Sequence, residues 1–269
     1  MPSILNISAY QFITLNDPDA LRERLWSQAD ALGLKGTVLI AEEGINLFLA
    51  GPAEAVRAWV ALLKEDTRFK ALSPKESWSD AVPFRKLLVK VKGEIIRMNH
   101  PTIRPDARGD EGRAPAVSPA TLKRWLDQGA DDDGRPVVTL DTRNAFEVDY
   151  GSFEGAIDWR IDKFSQFPEQ VAAHKNELEG KTVVSFCTGG IRCEKAALFM
   201  QEAGIAHVYQ LDGGILKYFE DTDGAHWQGE CFVFDDREAL GCRLEPRVAE
   251  APDPQRAPPR QGPRTIDKP

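Results

Sequence analysis

Apolar positions recur along this chain in two rhythms, and the switches between them outline the elements. Ile4 to Ile13 reads as a strand. Asp17 then offers an N-cap and Pro18 a first helical position, with Leu21, Leu25, Ala29 and Leu32 on one face and Gly33 as the stop. Two short apolar runs follow, Thr37 to Ala41 and Ile45 to Ala50, with Glu42-Glu43-Gly44 as the hairpin turn between them. Pro52 opens a second helix that gathers Val56, Trp59, Val60 and Leu63 on one side. Residues 65–83 carry no clear period. Leu87, Val89 and Val91 then alternate with Lys86, Lys90 and Lys92, a half-buried strand in which Leu88 shares the lysine side. The order β-α-β-β-α-β predicts a ferredoxin-like α+β domain over residues 1–95.

Residues 96–116 read as a linker, because Pro, Gly and charge leave little to bury. Beyond it, Ser118 is placed to cap a helix that starts at Pro119, with Val117 and Leu122 as a hydrophobic staple. Leu122, Trp125 and Leu126 give that helix its buried face, and Gly129 ends it. Strands are expected at Val137 to Leu140, Val183 to Phe186 and Val208 to Leu211. Helical stretches separate them, so the sheet should be parallel and the second domain α/β, over residues 117–225. Residues 226–245 form an extension. Residues 246–269, rich in proline and charge, read as a disordered tail.

Composition narrows the class. The chain has 269 residues, 42% hydrophobic and 28% charged, with a formal net charge of -8. That is ordinary for a soluble globular protein and excludes one coated in positive charge. Four cysteines are too few for a disulfide scaffold. The first residues lack a basic stretch followed by an apolar one, and no apolar run approaches membrane-spanning length, so a cytoplasmic location is expected.

The chemistry concentrates at Cys187-Thr188-Gly189-Gly190-Ile191-Arg192-Cys193, between a strand and a helix. Gly189 and Gly190 let the backbone turn inward, so that loop amides converge on the Cys187 sulfur at the positive end of the following helix. Such a site holds an anion: a thiolate, a persulfide or an oxyanion. Arg192 adds positive charge. Thr188 either donates its hydroxyl to the sulfur or caps the helix. Cys193 either resolves an oxidised Cys187 or packs. Asp141 and Arg143, at the end of an earlier strand, are expected to brace the loop. Cys231 and Cys242 lack metal-ligand spacing and the four histidines are scattered, so no metal site is expected. No flavin, haem, dinucleotide or P-loop signature points to a cofactor.

Four residues separate Cys187 from Arg192, a loop suited to one extra sulfur atom; cysteine phosphatases of this architecture use five. The loop resembles the active-site loop of rhodanese domains. Asp141-Thr142-Arg143, Gly151-Ser152-Phe153-Glu154-Gly155-Ala156 and Leu211-Asp212-Gly213-Gly214-Ile215 resemble the other rhodanese signatures. Thr37-Val38-Leu39-Ile40-Ala41-Glu42-Glu43-Gly44-Ile45-Asn46, upstream of such a domain, and Trp227-Gln228-Gly229-Glu230-Cys231-Phe232-Val233-Phe234-Asp235 are similar to the oxygen-dependent tRNA uridine(34) hydroxylases. That resemblance implies conversion of the wobble uridine of tRNA to 5-hydroxyuridine, with dioxygen as co-substrate, Cys187 as the active-site cysteine and tRNA as partner, with neither DNA nor membrane. Many members continue into a cysteine-rich segment, where this chain turns to proline with Cys242 left.

A nucleic-acid substrate needs local basic surface, and Arg85, Lys86, Lys90 and Lys92 are the candidates; charge alone favours an ordinary solvated strand face, and it is the resemblance that points to tRNA. Two alternatives stand beside it: a plain sulfurtransferase acting through the same Cys187, and a non-catalytic RNA-binding or regulatory module in which Cys187→Ser leaves function intact.

Overall fold

The computed structural model describes residues 3–107 and 113–246. The first half holds β1 (Ile4–Phe12), α1 (Pro18–Ala31), β2 (Lys35–Ala41), β3 (Gly44–Pro52), α2 (Ala53–Glu65), β4 (Lys75–Ser79) and β5 (Leu87–Val91). They build one sheet in the order β4-β1-β3-β2-β5. Leu5, Ile7 and Ala9 of β1 alternate into a core shared with Leu21 and Leu25 of α1 and Val56, Trp59 and Leu63 of α2. Glu42 and Glu43 make the two-residue turn between β2 and β3, as the sequence predicts.

The ferredoxin-like reading holds with one correction. Leu87–Val91 is not the fourth strand of the motif; it is a fifth, added parallel to β2 at one edge. The fourth is β4, within the stretch that showed no period, antiparallel to β1 at the other edge. Lys-Glu-Ser-Trp-Ser has no apolar alternation because the face of β4 carrying Lys75 and Ser77 looks into an open cleft, not the core. A second correction concerns Asp17. Its carboxylate makes no cap bond and accepts from Arg68 at 3.2 Å.

The linker is not an idle tether. Met98, Ile103 and Ala114 are buried in the core of the second domain, and Ile95 is buried as well. Isolated apolar residues in a Pro- and charge-rich stretch carry no period, so the pattern concealed them. Residues 108–112 of that stretch lie outside the described residues, as does the tail from 247 onward.

The second domain contains β6 (Ala116–Val117), α3 (Pro119–Gln128), β7 (Val137–Asp141), α4 (Ala145–Val148), β8 (Gly151–Phe153), α5 (Phe167–His174), β9 (Thr182–Phe186), α6 (Ile191–Glu202), β10 (Val208–Leu211) and α7 (Gly214–Thr222). Its sheet runs β6-β10-β9-β7, parallel throughout. Ser118 Oγ caps α3 by accepting from Thr121 N at 3.1 Å, and Gly129 ends the helix in the left-handed region at φ 71°. Every residue of β9 is buried, because helices cover both faces of the sheet. The extension adds β11 (Trp227–Gly229), paired antiparallel with β8, and the short pair β12 (Cys231–Phe232) and β13 (Ala239–Leu240).

Candidate active site

Cys187 sits where β9 stops and α6 has yet to start, so the carboxyl end of a central strand meets a helix N-terminus there. The backbone N–H of Gly190 donates to its sulfur at 3.1 Å. The carbonyls on either side of the loop turn away. Cys187 O accepts from Ile215 N at 3.0 Å and Thr188 O from Leu216 N at 3.2 Å, both at the start of α7. Gly214 makes this docking fit: a Cβ there would lie 2.5 Å from Cys187 O. The Asp212-Gly213-Gly214 segment therefore holds the loop carbonyls out and leaves the amides facing in. Of the two loop glycines, Gly190 is the one the geometry requires, with φ at 101° and a would-be Cβ 2.9 Å from the Tyr10 hydroxyl. Gly189 has an ordinary φ and open space beside it, so the expectation that both were needed is corrected.

Burial pushes the Cys187 thiol up. A hydrogen bond from Cys193, the Arg192 guanidinium and the amides of Arg192 and Gly190 outweigh it and bring the group down to about 5. Cys193 moves the opposite way: burial and the neighbouring Cys187 sulfur raise it well above the usual thiol range. Cys187 is thus the thiolate, and Cys193 the donor beside it. Cys193 is fully buried, with Thr142 Oγ1 3.8 Å from its sulfur.

Arg192 is anchored by a residue the sequence reading missed. Its two terminal nitrogens donate to Glu147 at 2.6 and 2.7 Å, and both side chains are nearly sealed from solvent. Glu147 also reaches back to the Asn144 N–H at 3.0 Å, the return bond of a capping box on α4. The Asn144-x-x-Glu147 spacing was the available signal. Asp141 and Arg143 form their own buried pair, at 2.6 Å. Arg143 donates onward to Gly151 O and Glu147 O, and Ser152 Oγ donates to Asp141. Their bracing is therefore indirect: they hold β8 and the α4 turn that carries Glu147. Neither expectation for Thr188 is met, since its hydroxyl points to Phe232 O at 3.5 Å and α6 has no side-chain cap.

The first domain closes over this loop. Asn6, Ser8 and Tyr10 alternate with the core residues of β1, so they occupy the sheet face without helices. That face forms one wall of a cleft of about 1780 Å³, with the Cys187 loop as its floor. Tyr10 donates to Glu194 at 3.3 Å, and burial together with Glu194 and the two cysteines raises its phenol. Lys195, on the next helical position, is buried and donates to Glu43 at 2.9 Å, Glu94 at 2.7 Å and Ile96 O at 3.0 Å. Burial raises Glu43 despite its bonds to Lys195. No local sequence signal announces Tyr10, Glu43 or Lys195, because their partners are distant in the chain. Of the basic candidates, Lys92 lines the cleft, while Arg85, Lys86 and Lys90 are exposed outside its lining. No three His, Cys, Asp or Glu side chains gather as a metal site among the described residues, and no helix among them is long and apolar enough to cross a membrane.

Two family models agree with this two-part construction. Residues 4–95 match the UPF0176 acylphosphatase like domain, and residues 118–221 match the Rhodanese-like domain. Among solved structures, the rhodanese-like domain of an Anabaena sp. protein matches at 22% identity and a TM-score of 0.35, over 43% of this chain and 79% of that one. An acylphosphatase from Coxiella burnetii matches at 16% identity and a TM-score of 0.25, over 33% of this chain and 92% of its own. Full-length relatives are far more similar. A tRNA uridine(34) hydroxylase of Delftia acidovorans is 67% identical over 91% of both chains. One of Bordetella avium is 65% identical over 91% of this chain and 99% of its own. With both halves matched in order and two thirds of the aligned residues identical, this chain belongs to the tRNA uridine(34) hydroxylase family.

Proposed function

We propose that this chain hydroxylates uridine 34 of tRNA at C5, giving 5-hydroxyuridine, with Cys187 as the reacting group and dioxygen as co-substrate, one oxygen atom entering at C5 and the other leaving as water with two electrons from an external reductant. The observation that carries this reading is a stabilised thiolate on the floor of a cleft walled by both domains. A cleft of that size accepts a splayed-out nucleotide, and Phe48, Phe84 and Phe234 along it offer apolar rings for a base. Lys92, Arg97, Arg113 and Lys163 on the same lining offer positive charge for the sugar–phosphate chain, and Arg85, Lys86 and Lys90 extend that charge outward. Uracil is electron-poor at C6. Addition of the Cys187 thiolate there makes C5 electron-rich, which is the property an incoming oxygen needs. Activity on tRNA also supports the cytoplasmic location expected from the sequence.

Nucleoside analysis of tRNA from a deletion strain tests the reading. Wild-type complementation should restore 5-hydroxyuridine at position 34 and Cys187→Ser should not; restoration by Cys187→Ser refutes it. A second reading, transfer of sulfane sulfur, draws on the same short loop and thiolate, which also suit a persulfide. It predicts turnover of thiosulfate and cyanide that disappears in Cys187→Ser. Because Tyr10 and Glu43 come from the first domain, removing that domain uncovers the loop, so point variants discriminate more cleanly than truncation.

A further inference from the structure

Lys75 is a cation in the cleft to which the proposed reaction gives no task. It lies on β4 in register with Ser8 of β1, so its side chain projects from the same helix-free face as Asn6, Ser8 and Tyr10. Its Nζ is sealed from solvent and has no hydrogen-bond partner among the described residues. It lines the cleft that has Cys187 on its floor. A nearby carboxylate, Asp212, is already taken by Lys217. Burial drops Lys75 to about 8, against the pull of Cys187, Glu220 and Asp212, which raise it. Lysine stems usually carry their ammonium out to water. A lysine held inside without an acceptor is costly, and such groups mark sites where a ligand supplies the missing partner.

Building on the proposed reaction, we infer that Lys75 is a catalytic residue that receives the C4 carbonyl oxygen of the target pyrimidine across the cleft from Cys187. The step balances without an oxidant. The Cys187 sulfur forms a bond to C6, the C5=C6 π pair becomes a C4=C5 bond, and the C4=O4 π pair moves onto O4. Lys75 donates its hydrogen bond to the developing oxyanion and passes it a proton. The products are a neutral enol adduct and a neutral amine. An ammonium already stripped of water transfers that proton more readily than one in solution. The two reacting groups come from different domains, so the pyrimidine ring bridges them.

The probe is an anticodon stem-loop carrying 5-fluorouridine at position 34, whose C6 adduct with Cys187 survives denaturing electrophoresis. Wild type should form the adduct and Cys187→Ser should not. Lys75→Met should slow its formation about a hundredfold and Lys75→Arg about tenfold. Lys75→Met should leave Cys187 ionised at pH 8, by its thiolate absorbance, and the melting temperature equal or higher, since a buried unpaired charge has been removed. Adduct formation by Lys75→Met within about threefold of wild type overturns the inference. So does weaker stem-loop binding with a shallower salt dependence, the signature of a phosphate contact. So does a wild type that restores 5-hydroxyuridine in cells yet forms no adduct. If wild type fails to restore 5-hydroxyuridine, it is the proposed function that fails, and that result is read separately.

Discussion

Replacing Cys193 with alanine isolates the hydrogen bond that does most to hold Cys187 as a thiolate. A hydrogen bond to a charged group contributes about 1.5–3 kcal/mol, and a thiol is a weak donor, so the low end applies. At 1.36 kcal/mol per pH unit, the Cys187 midpoint should rise by about one unit, from about 5 to about 6. At pH 5 the thiolate fraction then falls from about one half to about one tenth, while at pH 8 it stays near complete. Titrating the ultraviolet absorbance of the thiolate reads this directly and does not depend on access to the cleft. Cys193→Ser is the control, because a hydroxyl still donates and the midpoint should stay low. If both variants titrate within about 0.3 units of wild type, the sulfur is held by the loop amides and Arg192 alone, and the role given to Cys193 is wrong.

Glu147→Gln leaves the buried Arg192 without its countercharge and should cost about 3–5 kcal/mol in urea unfolding; a loss under about 1 kcal/mol refutes the anchoring role. Gly190→Ala should destabilise by about 1–3 kcal/mol and abolish reactivity, through strain at positive φ and the clash with Tyr10, while Gly189→Ala should be near neutral in stability. The folded Cys187 titrates below its unfolded value, so its stabilisation is full above an unfolded midpoint of about 8.5 and is lost as pH falls through about 5. The melting temperature of wild type should accordingly drop more steeply over that window than that of Cys187→Ser. Neutralising Arg85, Lys86, Lys90 and Lys92 together should weaken tRNA binding and flatten its salt dependence by about 0.7 for each phosphate they neutralise; an unchanged slope removes them from the tRNA path.

Legibility in the sequence followed the range over which each feature acts. The parallel sheet, Ser118 as a cap, Gly129 as a stop and the cysteine loop are local, and each was readable from a few neighbouring residues. β4 was not, because a strand whose inner face looks into an open cleft has no hydrophobic alternation to detect. The packed linker residues escaped for a related reason: single apolar side chains filling a seam have no period. Tyr10 and Lys75 are beyond any local rule, since what defines them is a loop more than a hundred residues away. Asp141 and Arg143 brace the loop only through β8 and the α4 turn, and the direct partner of Arg192, Glu147, lies in a helix cap.

Three successive positions on α6 face three different demands. Cys193 serves the reactive sulfur, Glu194 meets Tyr10 and Arg113, and Lys195 meets Glu43 and Glu94. One turn of helix therefore belongs to both halves of the molecule, and the rhodanese-like part is not a portable cassette. Grafting it elsewhere would strand the Lys195 ammonium in the open seam, and borrowing another rhodanese in its stead would cost Glu43 that ammonium and Tyr10 its acceptor. Inheritance of the two halves as a unit follows from that shared turn, since a chain that exchanged either one would need compensating changes at all of these positions together.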